Sequence, residues 1–111
     1  MTLFEKIAAG EIPAELVHQD EVCVAFHDIN PQAPLHVLIT PRRPIPRLSE
    51  TEEADESLLG HLLLVAKKLA VDLGAVSGYR VVINNGRDAG ESVPHLHVHL
   101  LAGRQLEWPP G

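Results

Sequence analysis

Apolar side chains between residues 55 and 73 recur every three to four positions. Leu58, Leu62, Val65, Leu69 and Leu73 fall on one stripe at about 100° per residue, and Leu59, Ala66 and Ala70 widen it. This period predicts a long helix from Asp55 to Leu73, with Gly74 as its C-terminal stop. Leu64 and Val71 do not belong to that stripe. They point to the opposite side, near Gly60 and Lys67, and a second apolar strip on a polar face predicts a subunit contact.

Elsewhere the pattern has the period of a strand or is broken by turn residues. Thr2-x-x-Glu5 is a capping box that opens a short helix, roughly residues 3 to 9, ended by Gly10 and Pro13. Leu16-Val17-His18 reads as a strand, Asp20-Glu21 as a turn. Val22, Val24 and Phe26 then alternate with Cys23, Ala25 and His27, which makes the second arm of a hairpin. Leu35 to Ile39 is a third strand stopped by Pro41, and Arg42 to Pro46 is irregular. Tyr79 to Asn84 is a fourth strand, Asn85 to Ser92 a polar glycine-rich loop, and Val93 to Leu101 a fifth strand. Hairpin pairings with few βαβ signals predict an α+β fold: a five-stranded, mainly antiparallel sheet with two helices.

At 111 residues the chain fits one domain, 1–111, with one modest core. Its formal net charge of −6 argues against a broad grip on a nucleic-acid backbone, while leaving room for a small anion in a local pocket. The single cysteine, Cys23, cannot form an internal disulfide and reads as a small buried apolar residue; a reducing cytoplasm is the expected location. Met1 to Lys6 becomes charged too early for a signal peptide, and the longest apolar run, Leu62 to Ala66, is far too short to span a bilayer.

The segment His95-Leu96-His97-Val98-His99-Leu100-Leu101 carries the chemistry. Strand alternation sends Leu96, Val98 and Leu100 into the core and the three imidazoles to the other face, each about 6.7 Å from the next. Two functions use such a row. Histidines two apart on a strand can converge on zinc, and His36 offers a fourth nitrogen. Neutral imidazole is also a nucleophile near pH 7, if one nitrogen is free and the other is held by an acceptor; its neighbours then donate to transition-state oxygens.

The same run resembles the His-φ-His-φ-His-φ-φ signature of the histidine-triad (HIT) superfamily. Phe26 to His36 is similar to the upstream motif of its Hint branch, and Gly103 to Gly111 is similar to the Hint tail. The resemblance spans essentially the whole chain. It implies a HIT-like fold whose sheets join across a homodimer, and hydrolysis of purine nucleoside phosphoramidates or acyl adenylates with no metal or cofactor. His97 matches the nucleophile that forms a nucleotidyl-imidazole, and His99 the residue that binds phosphate oxygens. His95 and His36 match orienting positions. Asn84, Gly90 and Ser92 match phosphate-side contacts, with Ser92 placed to protonate the leaving group. Asp28 matches the ribose carboxylate, and Leu3, Phe4, Ile7, Ile12, Phe26, His27 and Ile29 the purine walls. Trp108 matches the leaving-group side, in a tail set against the partner subunit. A neighbouring branch hydrolyses dinucleoside polyphosphates, and a third reading is a zinc- or nucleotide-binding scaffold without turnover. Three positions depart from the pattern. Glu91 stands in place of Gln, where a carboxylate repels phosphate unless it points away. Pro94 replaces an aromatic and marks the start of the strand or an edge. Ala102 replaces a glycine, which tightens the start of the tail.

Overall fold

A computed structural model describes residues 1–111. Helix α1 (Leu3–Ala8) is followed by strands β1 (Leu16–Gln19), β2 (Cys23–His27) and β3 (Leu35–Pro41), helix α2 (Glu56–Asp72), then β4 (Tyr79–Val82) and β5 (Val98–Ala102). The five strands form one sheet in the order β1-β2-β3-β5-β4, and every neighbouring pair is antiparallel. The α+β architecture and the antiparallel five-stranded sheet read from the pattern are therefore present. No helix is long and apolar enough to cross a membrane.

Alternation along the strands builds two apolar layers. Cys23, Ala25, Val37, Ile39, Val98 and Leu100 face α2 and meet Leu62, Val65, Ala66, Leu69 and Ala70 in a core of 13 buried residues. On the opposite face Val24, Phe26 and Leu38 meet Phe4 and Ile7 of α1. Central strand β3 is covered on both sides, so it reads as a nearly continuous apolar run. Cys23 is fully buried, and burial pushes its thiol up to about 12.

Several boundaries differ from the pattern, each for a local reason. Strand β3 runs through Pro41, which pairs with Cys23 at the ladder's end, where its missing N–H costs little. Pairing of β5 begins at Val98 rather than Val93, because Pro94 interrupts the ladder and Leu96 donates instead to the Ile45 carbonyl at 2.7 Å. Pro94 thus precedes the strand and does not start it. Strand β4 ends at Val82, two residues early, and β2 begins at Cys23, after a turn in which the Asp20 side chain takes both the Val22 and the Cys23 N–H. Helix α2 starts at Glu56 after a 3-10 turn over Glu53–Asp55. Its core stripe closes at Ala70, and Leu73 becomes an exposed C-cap. Ala102 fits, buried, between Leu35 and Tyr79. The tight turn falls one residue later, at Gly103, where φ is +95° and an added Cβ would stand 2.9 Å from Pro34.

The second apolar strip on α2 lies in the open. Leu64 is 64% exposed and Val71 72%, and Gly60 is exposed beside them. Strand β4, at the sheet edge, also leaves Tyr79 and Val81 exposed.

Candidate active site

Helix α1 and the sheet face that it covers enclose a cleft of about 550 Å³. Leu3, Phe4, Ile7, Ile12, Phe26 and Leu38 make it apolar along one side. His27 and Asp28 stand at the rim with Ile29, which is 96% exposed and so borders the cleft rather than packing as a wall. Ser92, Val93, His97 and His99 close the polar end. Capping fixes α1 in place: the Thr2 hydroxyl accepts from the Glu5 N–H, and the Glu5 carboxylate accepts from the Thr2 N–H.

The row of histidines keeps the expected alternation although its first half lies outside the ladder. Leu96, Val98 and Leu100 enter the core, and His95, His97 and His99 take the other face. That face is not open: His95 is fully buried and His97 only 7% exposed, because Phe4 of α1 stacks its edge on the His97 ring with centroids 4.8 Å apart. The rings of His97 and His99 lie 5.0 Å apart.

Backbone groups fix the tautomers of His95, His97 and His36, and His36 in turn fixes that of His99. His95 Nε2–H donates to the Pro41 carbonyl at 2.7 Å, so its Nδ1 accepts from the Thr2 hydroxyl at 3.0 Å. His97 Nδ1–H donates to the His95 carbonyl at 2.7 Å, leaving the Nε2 lone pair free. The Gln32 N–H donates to His36 Nδ1 at 3.0 Å, so His36 carries its proton on Nε2. That N–H donates to His99 Nδ1 at 2.9 Å, which leaves His99 Nε2–H as a donor. Asp28 Oδ2 lies 3.5 Å from His36 Nε2, and the other oxygen of Asp28 accepts from the Asn30 N–H.

Electrostatics agree with these assignments. Burial lowers the pKa of His36 against the opposing pull of Asp28, and burial also lowers that of His95. His99 is lowered to about 4, first by burial and then by the neighbouring His97 and His36. These three are therefore neutral at pH 7. One free imidazole lone pair beside one imidazole N–H donor can attack an electrophilic centre while hydrogen-bonding its oxygen. The same tautomers make a poor zinc site. His95 has both nitrogens engaged, and His36 and His99 turn their only lone pairs to N–H donors, so His97 alone has one to offer.

Other predicted residues lie around this centre. Asn84 is half-buried and Gly90 exposed in the loop leading to Ser92; neither lines the cleft. Gly90 has φ +83° in that loop. Trp108 is 82% exposed and lies outside its own chain's cleft. The Glu91 carboxylate is paired: it accepts from Arg47 Nε and from the Gly86 N–H, both at 3.0 Å, and Arg47 holds its pKa below the usual carboxylate range. Sequence reasoning missed Arg47, Gln32, the Pro41 carbonyl and the link from Thr2 to His95. Only Thr2 carried a signal, as a helix cap; the others act through backbone groups or across long sequence separations.

A HIT domain model matches residues 9–106, and the chain belongs to the HIT family. It is 54% identical over 110 residues to an uncharacterized HIT-like protein of Synechocystis, covering 99% of this chain and 96% of the relative. A second HIT-like protein, from Synechococcus elongatus, is 52% identical over the same shares of both chains. Among solved structures, a HIT family hydrolase from Legionella pneumophila superposes with a TM-score of 0.97 at 48% identity, with both chains fully covered. A histidine triad nucleotide-binding protein from Candida albicans gives 0.83 at 34% identity, over 98% of this chain and 83% of that one.

Proposed function

We propose that this protein hydrolyses purine nucleoside phosphoramidates, and related adenylated amines or acyl adenylates, through a covalent nucleotidyl-histidine. The observation that carries this reading is the free Nε2 of His97 beside the donor Nε2–H of His99, at the polar end of an otherwise apolar cleft. The purine sits between Phe4, Ile7, Ile12 and Phe26, with Leu3, His27 and Ile29 at its edge. Asp28 accepts from the ribose hydroxyls. His99 Nε2–H and Ser92 hold the phosphate oxygens, assisted by the Asn84 to Gly90 loop.

His97 Nε2 attacks the α-phosphorus, and the bond from phosphorus to the amine nitrogen breaks. The leaving amine takes a proton, with Ser92 as its nearest hydroxyl. Water then attacks the nucleotidyl-imidazole, its proton replaces the one given to the amine at Ser92, and the nucleoside monophosphate leaves with His97 and Ser92 back in their starting states. His95 positions His97 through its carbonyl, and His36 positions His99 through its Nε2–H. No step calls for a metal or cofactor, since imidazole N–H groups meet the developing charge.

We also assign a homodimer, in which the β4 edges and the Gly60, Leu64 and Val71 faces of α2 pair and the tail bearing Trp108 reaches the partner's leaving-group side. The single domain and a cytoplasmic setting belong to the same reading. The test is turnover of a panel that keeps adenylate constant and varies the leaving group. Cleavage of amines and acyl groups supports it; cleavage restricted to dinucleoside polyphosphates assigns the neighbouring activity instead.

A further inference from the structure

On the sheet face opposite the cleft, three ligating side chains converge on one carboxylate oxygen. His18 Nε2 and His61 Nε2 each lie 2.7 Å from Asp20 Oδ2, and Cys23 Sγ lies 3.6 Å from the same atom. The donor atoms of His18, Asp20 and Cys23 are all within 4.8 Å of one another. We propose that His18, Asp20, Cys23 and His61 form a zinc site, separate from the triad, that ties the β1–β2 hairpin to helix α2.

Local geometry prepares these groups. In a regular strand His18 would share a face with Leu16, which packs toward Phe4. The β1–β2 register shifts between Leu16 and His18, and His18 emerges on the α2 side next to Cys23, sharing Asp20 Oδ2 with His61. The other oxygen of Asp20 is engaged by the Val22 and Cys23 N–H groups, which orients Oδ2 toward the three donors. Arg42 Nε holds the Asp20 carbonyl and stiffens the turn.

The tautomers distinguish this cluster from the triad. Neither His18 nor His61 uses Nδ1 in a hydrogen bond, so the ring proton can sit there and free Nε2 for a metal. His36, His95 and His99 lack that freedom. Zinc bonds of about 2.0–2.3 Å set tetrahedral ligand separations of about 3.3–3.8 Å. The separation of Cys23 and Asp20 already fits, His18 retreats by about half an ångström from its hydrogen-bond distance, and His61, which stands outside the group of three and meets it through Asp20, swings in toward His18 and Cys23. His61, 39% exposed on α2 beside an open depression, has room to do so. Two imidazoles, a thiolate and a carboxylate are a zinc donor set rather than a magnesium or calcium one. Thiolate and carboxylate offset the charge of the ion, with the Arg42 guanidinium alongside; the thiol proton leaves to solvent on binding.

The experiment titrates chelator-treated, full-length protein with cobalt(II) as a spectroscopic stand-in, then with zinc. One equivalent should bind with a thiolate-to-cobalt charge-transfer absorption, which the sulfur-free triad cannot give. Zinc should raise Tm by several degrees, roughly as expected for a ligand bound to the native state alone. H18Q and H61Q, both on partly exposed side chains, should each weaken cobalt binding about tenfold or more, and C23A should abolish the absorption. Absence of that absorption in the wild type overturns the site, as does undiminished affinity in H18Q and H61Q.

Discussion

Glu91 turns its carboxylate onto the guanidinium of Arg47, Oε1 3.0 Å from Nε. Arg47 is 44 residues distant in the chain. The pair also staples the Gly86 turn, through the Gly86 N–H, to the segment that ends in Ser92. A carboxylate one residue before a serine that lines the cleft is thereby paired with a cation.

Removing Arg47 should therefore harm phosphate more than purine. R47M should weaken AMP binding about tenfold, as for one uncompensated charge roughly 10 Å away in a partly screened cleft. Adenosine binding should not change, and R47M/E91Q should recover most of the loss. Calorimetric titration of AMP and adenosine against the three proteins measures this. Equal losses for both ligands would instead mark the pair as purely structural.

The pattern of the chain contained most of the fold and the centre of the site, because both depend on short-range periodicity. Alternation assigned Leu96, Val98 and Leu100 to the core and the imidazoles to the opposite face, and it survived the loss of strand pairing before Val98. It could not reveal that His95 and His97 are buried, since the cover comes from Phe4, more than 90 residues away. Nor could it reveal tautomers, which depend on where the Pro41 carbonyl and the Gln32 N–H point. Proline explains two of the misplaced strand limits: one proline sits inside the end of β3, and the other delays β5. Cys23 was legible as a buried residue, but its neighbours His18 and His61 come together only through a register shift and a helix packed from far along the chain.

Buried neutral histidines make stability depend on pH. His36, His95 and His99 all have lowered native pKa values, that of His99 near 4, against an ordinary value of 6.5. Between those values the unfolded chain binds more protons, so stability falls as pH drops from about 6.5 toward 4. Lowered carboxylates such as Asp20 and Asp55 add losses of the same sign only below their ordinary range. The urea midpoint should thus be clearly lower at pH 4.5 than at pH 7, and H99N should flatten the dependence. A midpoint constant over that interval would contradict neutral burial.

Leu64→Glu should convert the proposed dimer into monomers. The side chain is exposed in the single chain, so a charge there costs the fold little, whereas it would sit unpaired in the apolar contact. Sedimentation at micromolar concentration should give a dimer for the wild type and a monomer for the variant. A monomeric wild type removes the assignment.

Removal of residues 107–111 should slow cleavage of bulky aromatic amine leaving groups and leave unsubstituted adenosine phosphoramidate much less affected. Trp108 lies outside its own chain's cleft, and Arg80 holds the residue before it by donating to the Glu107 carbonyl at 2.9 Å. The comparison is kcat/KM for both substrates in full-length and shortened protein. An equal loss on both assigns the tail to stability or dimerisation.

The central claim is that His97 Nε2 bonds covalently to the nucleotide. The direct measurement is rapid acid quench of wild-type protein mixed with an adenosine phosphoramidate, followed by peptide mass spectrometry. The account predicts an adenylyl group on the peptide containing His97, appearing and decaying at rates competent for turnover. It also predicts that H97A remains folded, binds AMP and forms no adduct. An adduct on another residue, or wild-type turnover in H97A, would contradict it.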